Sequence, residues 1–169
     1  MDADRLRKRP RIAVCGAGTC DDIVYEQARR VGQLLAEAGA ILLCGGRGGV
    51  MAAACQGAQE AGGLTVGIMP GGLEDANPYV DLPILTGMGQ ARNVVLVLSA
   101  QAIIAIAGGP GTLSEIALAL KSGRPVVGLG TWRLTRSDGR PEERLQDAAS
   151  PAEAVRMALT VAGSSAFKR

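Results

Sequence analysis

Short runs of consecutive apolar residues alternate along this chain with longer stretches whose apolar positions recur every three or four residues. The unbroken runs fit strands buried on both faces, and the periodic stretches fit helices with one face against a core. Residues 11–15 read as the first strand. A helix follows to about residue 38, its apolar side carried by Val24, Ala28, Val31, Leu34 and Leu35, capped by Asp21 or Asp22 and stopped by Gly39. Strand 41–44, helix 50–61 and strand 64–69 come next. A long connection over 70–89 then intervenes, of a length that inside a compact domain marks a functional or ligand-ordered segment. A helix over 90–99 leads into 102–107, an uninterrupted apolar run suited to a central strand. Gly108, Gly109 and Gly111 open a further helix that ends near 122–123, and 125–129 is a fifth strand. Segment 131–150 is polar and carries no clear element, and 151–162 is a terminal helix before a short tail. Residues 1–10 read as a flexible, solvated arm in which Arg5, Arg7, Lys8 and Arg9 cluster with Arg11, and 11–169 as a single ligand-binding domain.

Strictly alternating strands and helices predict an α/β fold of the Rossmann-like, doubly wound type. The expected sheet has five to seven strands, mostly parallel, with helices on both faces and right-handed crossovers. Ligands of such sheets collect at the carboxyl ends of the strands. Composition sharpens this picture. With 47% hydrophobic but only 2% aromatic residues, the core must be built from Ala, Val, Leu and Ile. So few aromatics give no platform for stacked bases, and a net charge of +2 leaves no basic face beyond the arm, so nucleic acid is not an expected partner. The longest apolar stretch, 94–107, is interrupted by Ser99 and Gln101 and is too short to cross a bilayer. No secretion signal stands out, so the expected location is the cytoplasm.

Histidine is absent, which removes the commonest general base and metal ligand. Cys15, Cys20, Cys44 and Cys55 form no Cys-x-x-Cys pair, so no metal site is expected and the thiols read as reduced core or near-site residues. The candidate chemistry lies instead in three glycine-rich turns, each following a buried strand: Gly16-Ala-Gly18, Gly45-Gly46-Arg47-Gly-Gly49 and Gly108-Gly109-Pro-Gly111-Thr112. Each sets backbone N–H groups near a helix N-terminus, where unpaired donors and the positive dipole end accept phosphate. The dinucleotide pattern fails, since Asp21 stands where its third glycine belongs and no acidic residue ends the second strand. Neither a Gly-Lys-Ser/Thr loop nor a Gly-x-Ser-x-Gly elbow is present.

Gly45-Gly-Arg-Gly-Gly-Val-Met51, Ala91-Arg-Asn93 and Gly108-Gly-Pro-Gly-Thr-Leu-Ser-Glu115 together resemble the superfamily once labelled lysine decarboxylase-like. Its members include the cytokinin-activating phosphoribohydrolases, and its fold resembles that of the DNA-processing protein DprA. The likeness covers about residues 11–130. Thr86-Gly-Met-Gly-Gln-Ala-Arg-Asn93 and Ser114-Glu-Ile-Ala-Leu-Ala-Leu-Lys121 are most similar to the branch containing the molybdenum cofactor carrier proteins. The resemblance implies a homo-oligomer, dimer or tetramer, that binds a phosphate-bearing small molecule and requires no cofactor of its own. That ligand would be the molybdenum cofactor or a nucleotide monophosphate. The alternative it implies is a nucleoside 5'-monophosphate phosphoribohydrolase with Arg92 and Glu115 as catalytic residues. Against hydrolysis, Asn93 stands where the hydrolases have lysine, Ala107 where they have proline and Ser114 where they have an acid. An interaction module that senses a nucleotide is a third class. Decarboxylation through pyridoxal has no suitable lysine, since Lys8 and Lys168 lie in the tails and Lys121 at the far end of its helix.

The residues have roles of their own beside the resemblance. Arg92, in the first turn of its helix, is placed to fork onto a phosphate or to form a salt bridge. Thr112 is expected at an N-cap, with its hydroxyl and the following N–H groups toward an anion. Glu115 has two readings: a carboxylate serving chemistry, or the return half of a Thr-x-x-Glu capping box. The candidate ligand-binding residues are Gly16, Gly18, Gly45, Gly46, Arg47, Arg92, Gly108, Gly109, Gly111 and Thr112.

Overall fold

A computed structural model describes residues 3–164. Residues 1–2 of the expected arm and 165–169 of the expected tail, with Lys168, lie outside the described residues. A short helix, α1 (Ala3–Lys8), stands where a loose arm is expected. Arg9 after it donates from Nε to the Gly39 carbonyl at 2.6 Å and from Nη2 to that of Ala40 at 2.9 Å. The rest of the chain runs β1 (Arg11–Gly16), α2 (Asp22–Glu37), β2 (Ile41–Cys44), α3 (Val50–Glu60), β3 (Leu64–Met69), β4 (Leu82–Leu85), α4 (Arg92–Ser99), β5 (Ala102–Ile106), α5 (Pro110–Lys121), β6 (Val126–Leu129), β7 (Leu145–Asp147) and α6 (Pro151–Ser164).

The described strands form one seven-stranded sheet in the order β4-β3-β2-β1-β5-β6-β7, with every pairing parallel. The fold is therefore the Rossmann-like α/β sheet that the alternation predicts. Side chains of successive strand residues point to opposite faces, and the core divides accordingly. Ile12, Val14, Leu42, Cys44, Ile104 and Ile106 pack against α2, α3 and α6. Ala13, Cys15, Leu43, Ile68, Ile103 and Ala105 pack against α4 and α5. On the first face α2 and α3 lie backbone to backbone: a Cβ on Gly32 would collide with the Ala54 carbonyl, and one on Gly57 with that of Arg29.

Two strands have no counterpart in the sequence reading. β4 lies in the long connection after β3, and β7 in the polar segment 131–150. Both are edge strands. β4 contains Pro83, tolerated because an edge strand offers one side that needs no ladder donor. β7 is only three residues long.

The chain leaves β1 toward β2, β3 and β4, then crosses back to place β5 on the other side of β1. β1 and β5 thus flank the point where the winding reverses, and the crevice outside their carboxyl ends is where ligands of this architecture bind.

Candidate functional site

The sheet brings the three glycine turns to one edge, at the carboxyl ends of β1, β2 and β5. They are not equivalent. Behind β1, Asp21 is the N-cap of α2, and its carboxylate accepts from the Val24 N–H at 2.8 Å. With Asp22 beside it, that helix end already carries its own anions and offers little to a phosphate. Behind β2, the Val50 N–H that opens α3 is taken by the Ala17 carbonyl at 3.0 Å. Behind β5, the N-cap of α5 is Gly109, and as at Gly49 before α3 no side chain caps it. The positive ends of α3 and α5 are thus both open to an external anion, and that of α5 stands at the β1–β5 switch point.

Thr112 is not the N-cap that the sequence suggests. Pro110 takes the first helical position, which its fixed φ and missing N–H suit, so Thr112 falls two residues inside the helix. It is buried, with its hydroxyl against Gly108. The Thr-x-x-Glu capping box consequently does not form. Glu115 instead turns inward, where its Oε1 accepts from Arg92 Nη1 at 3.3 Å, and both side chains are buried. The Cys15 thiol lies beside this carboxylate. Burial raises the Glu115 carboxyl above its ordinary range, with the Arg92 guanidinium and the neighbouring Cys15 thiol pulling the other way. Cys15 itself is pushed up, chiefly by burial and then by the Glu115 charge.

Arg92 sits under the crevice rather than extended into it. It is 8% exposed, and Nη1 also donates to the Asn93 side chain. Its guanidinium lies against Gly45, where a Cβ would stand 2.5 Å from Nη2, and Nε has no hydrogen-bond partner among the described residues. A buried pair links Arg92 at the start of α4 to Glu115 on α5, with Cys15 of β1 completing the cluster. Arg47, by contrast, leaves its side chain in solvent. Its carbonyl and that of Gly46 accept from the Asn77 side chain at 2.9 and 3.1 Å, and Cys44 Sγ accepts from the Gly46 N–H at 3.2 Å. Asn77 and the thiol thus hold the second turn.

The reasons for glycine separate the candidates further. Gly16 has no room for a Cβ against Val50 and Ile106, Gly45 none against Arg92, and Gly46 none against Met69. Gly108 has φ +99° and presses on Thr112. Fold alone accounts for these four. Among the described residues only Gly18, Gly71, Gly109, Gly111 and Gly163 combine an ordinary φ with open space at the Cβ position. Four of them stand just past the carboxyl ends of β1, β3 and β5, on the crevice edge. Neither backbone conformation nor packing asks for glycine there, whereas close approach of a ligand to the backbone does.

Two residues of the polar segment after β6, unsuspected from the sequence, support this edge. Thr131 Oγ1 donates to the Ala107 carbonyl at 2.5 Å, and the Trp132 indole N–H donates to that of Gly109 at 3.2 Å. Ala107 has φ 46°, a left-handed value uncommon outside glycine and strained by roughly 1–3 kcal/mol. Proline, held near −65°, cannot adopt it. A proline at this position, which the resemblance to the hydrolases would imply, could not keep the turn as it stands here.

Comparison with known proteins agrees with this architecture. A protein of Archaeoglobus fulgidus is 50% identical over 122 residues, which cover 72% of this chain and 81% of its own. The structure of the molybdenum cofactor binding protein of Rippkaea orientalis superposes with a TM-score of 0.82 at 38% identity, covering 91% of this chain and 98% of that one. The molybdenum cofactor carrier protein of Chlamydomonas reinhardtii gives 0.80 at 36% identity, covering 92% and 99%. Residues 9–155 match the SLOG cluster4 family, and the chain belongs to that family.

Proposed function

We infer that this chain is a cytoplasmic, non-catalytic holder of a phosphate-bearing small molecule of the molybdenum cofactor type, bound at the carboxyl ends of β1 and β5. The observation that carries this reading is the set of glycines along that edge for which the fold has no use. The uncapped end of α5 fits a terminal phosphate, with Gly109, Gly111 and the first-turn N–H groups as donors and close-approach points. Two solved structures of proteins named for binding or carrying the molybdenum cofactor share more than a third of their residues with this chain, which supports the same ligand class. The alternative, hydrolysis of nucleoside monophosphates, needs a carboxylate that can reach a ribose. Glu115 is instead committed to Arg92 and Cys15, beneath the surface.

Glu115→Gln decides between them. The amide preserves shape and can still accept from Arg92 Nη1, so a holder keeps its ligand affinity within about twofold, as expected for a residue that does not touch the ligand. Incubation of wild type and variant with a panel of nucleoside monophosphates is the check. Release of free base by the wild type, abolished in Glu115→Gln, identifies a hydrolase and refutes this reading.

The reading includes self-association. α4 buries Leu96 and Val97 within its own chain but leaves Val94 at 42% and Leu98 at 48% exposure, on the side of the sheet where the edge strand β4 exposes Leu82 and Ile84. Between residues 82 and 100 the only charged side chain is Arg92, which is buried. An uncharged apolar face of this kind suits burial against a second copy. Light scattering at micromolar concentration is expected to show a dimer or tetramer, and Leu98→Arg to shift it to monomer. A wild-type monomer contradicts the association.

A further inference from the structure

We propose that Thr131 and Trp132 are positioning residues of the anion cradle, holding the β5–α5 turn in its ligand-ready form from the loop between β6 and β7. The ligand in this statement rests on the function inferred above, whereas the mechanical part stands without it.

Ala107 and Gly108 form two successive left-handed residues, with φ 46° and 99°. A chain at this point relaxes readily unless its surroundings over-determine it. Four hydrogen bonds do so. The Ala107 N–H donates to the Leu129 carbonyl at 3.2 Å, Thr131 Oγ1 holds the Ala107 carbonyl, Trp132 Nε1 holds the Gly109 carbonyl, and the Leu113 N–H of α5 shares that last carbonyl at 3.1 Å. The second and third matter for an anion in particular. A carbonyl oxygen carries partial negative charge, so one swinging toward the helix end would repel a phosphate and compete for the donors of the first turn. Anchoring the carbonyls of residues 107 and 109 on donors of the β6–β7 loop keeps both oxygens engaged elsewhere.

The loop is itself fixed. The Thr131 methyl sits over Gly128, where a Cβ would stand 2.8 Å away, and Trp132, Leu134 and Leu145 pack against the core beneath α4 and α5. At its far end Arg144 Nη1 donates to the Leu120 carbonyl at 3.2 Å, tying the loop to the last turn of α5. The loop thus runs along α5, bonded to the turn that opens the helix and to its last turn.

Trp132→Phe keeps an aromatic ring and deletes the donor, and Thr131→Val keeps the branched shape and deletes the hydroxyl. Without ligand, amide hydrogen exchange at Ala107 and Leu113, the hydrogen-bonded N–H groups of the 107–113 stretch, is expected to quicken about tenfold in each variant, the equilibrium factor for one lost hydrogen bond. Exchange in α2 and α6 stays unchanged. In titrations with inorganic phosphate, both variants bind about tenfold more weakly than wild type. Trp132 is the only tryptophan, so its emission shifts as phosphate binds the wild type. Unchanged exchange at Ala107 and Leu113 in both variants overturns the proposal, and so does loosened exchange with undiminished phosphate affinity. If the wild type binds no phosphate, the inferred function loses its support, and the exchange data still decide whether these residues hold the turn.

Discussion

Gly111→Leu abolishes retention of a phosphate-bearing ligand while leaving the protein as stable as the wild type or slightly more so. The expectation follows from what surrounds residue 111. It is exposed, in the first turn of α5, with an ordinary helical φ and nothing within 4 Å of an added Cβ. Leucine therefore meets no clash, and exchanging glycine for a good helix former adds up to about 1 kcal/mol of stability, or roughly 2–4 °C in Tm for a chain of this size. The same side chain fills the space in front of the helix end, where close approach to the backbone is the whole means of binding. Thermal unfolding and ligand titration on one preparation check both halves. A variant that melts normally and still binds places the ligand elsewhere.

Arg92→Ala gives the opposite pattern, a large loss of stability that depends on pH. Removing the guanidinium leaves Glu115 as a carboxylate buried without its counter-ion, a change that destabilises by about 3–5 kcal/mol and lowers Tm by roughly 10 °C or more. Glu115 already titrates above its ordinary range in the folded protein because burial outweighs Arg92 and Cys15. A carboxyl raised in this way contributes its full stability below the unfolded carboxylate range and loses it as pH rises through the folded value. Without Arg92 the folded value rises further, so the deficit of the variant is smallest in acid and grows from about pH 4.5 toward neutrality. Glu115→Gln introduced into Arg92→Ala removes the buried charge and recovers much of the loss at pH 7. A deficit that is constant with pH, or one that the second substitution does not reduce, excludes the buried pair as its source.

The sequence and the structure agree best where burial leaves a strong pattern. The inner strands β3, β2, β1, β5 and β6 are flanked by helices on both faces, so they appear as largely apolar runs, with Thr65 the polar exception in β3, and all five are legible. β4 and β7 are edge strands that bury little: three of the four residues of β4 are exposed and a proline interrupts it, and β7 is shorter than any periodicity can register. The glycine turns are equally plain, but their inequality is not. Asp21 is legible as a cap of α2, whereas the bond from the first N–H of α3 to the Ala17 carbonyl depends on a contact no spacing reveals. Thr112 and Glu115 stand at capping-box spacing, and only the position of Pro110 two residues before Thr112 argues against that box. Cys15 ends an apolar strand and so reads as core, although the alternation of β1 sets it on the face that also receives Arg92 and Glu115. Thr131 and Trp132 lie in a polar stretch without periodicity, where no local signal announces a bond to a turn more than twenty residues earlier.

The central claim, that the edge formed by β1 and β5 holds a phosphate-bearing molecule without transforming it, is met most directly by equilibrium dialysis of the purified protein against the molybdenum cofactor. Molybdenum and organic phosphate are then measured together in the protein compartment. The account predicts co-retention of both in a constant ratio to protein, released unaltered on denaturation and lost in Gly111→Leu. Retention of neither, or recovery of a ligand cleaved from its phosphate, contradicts it.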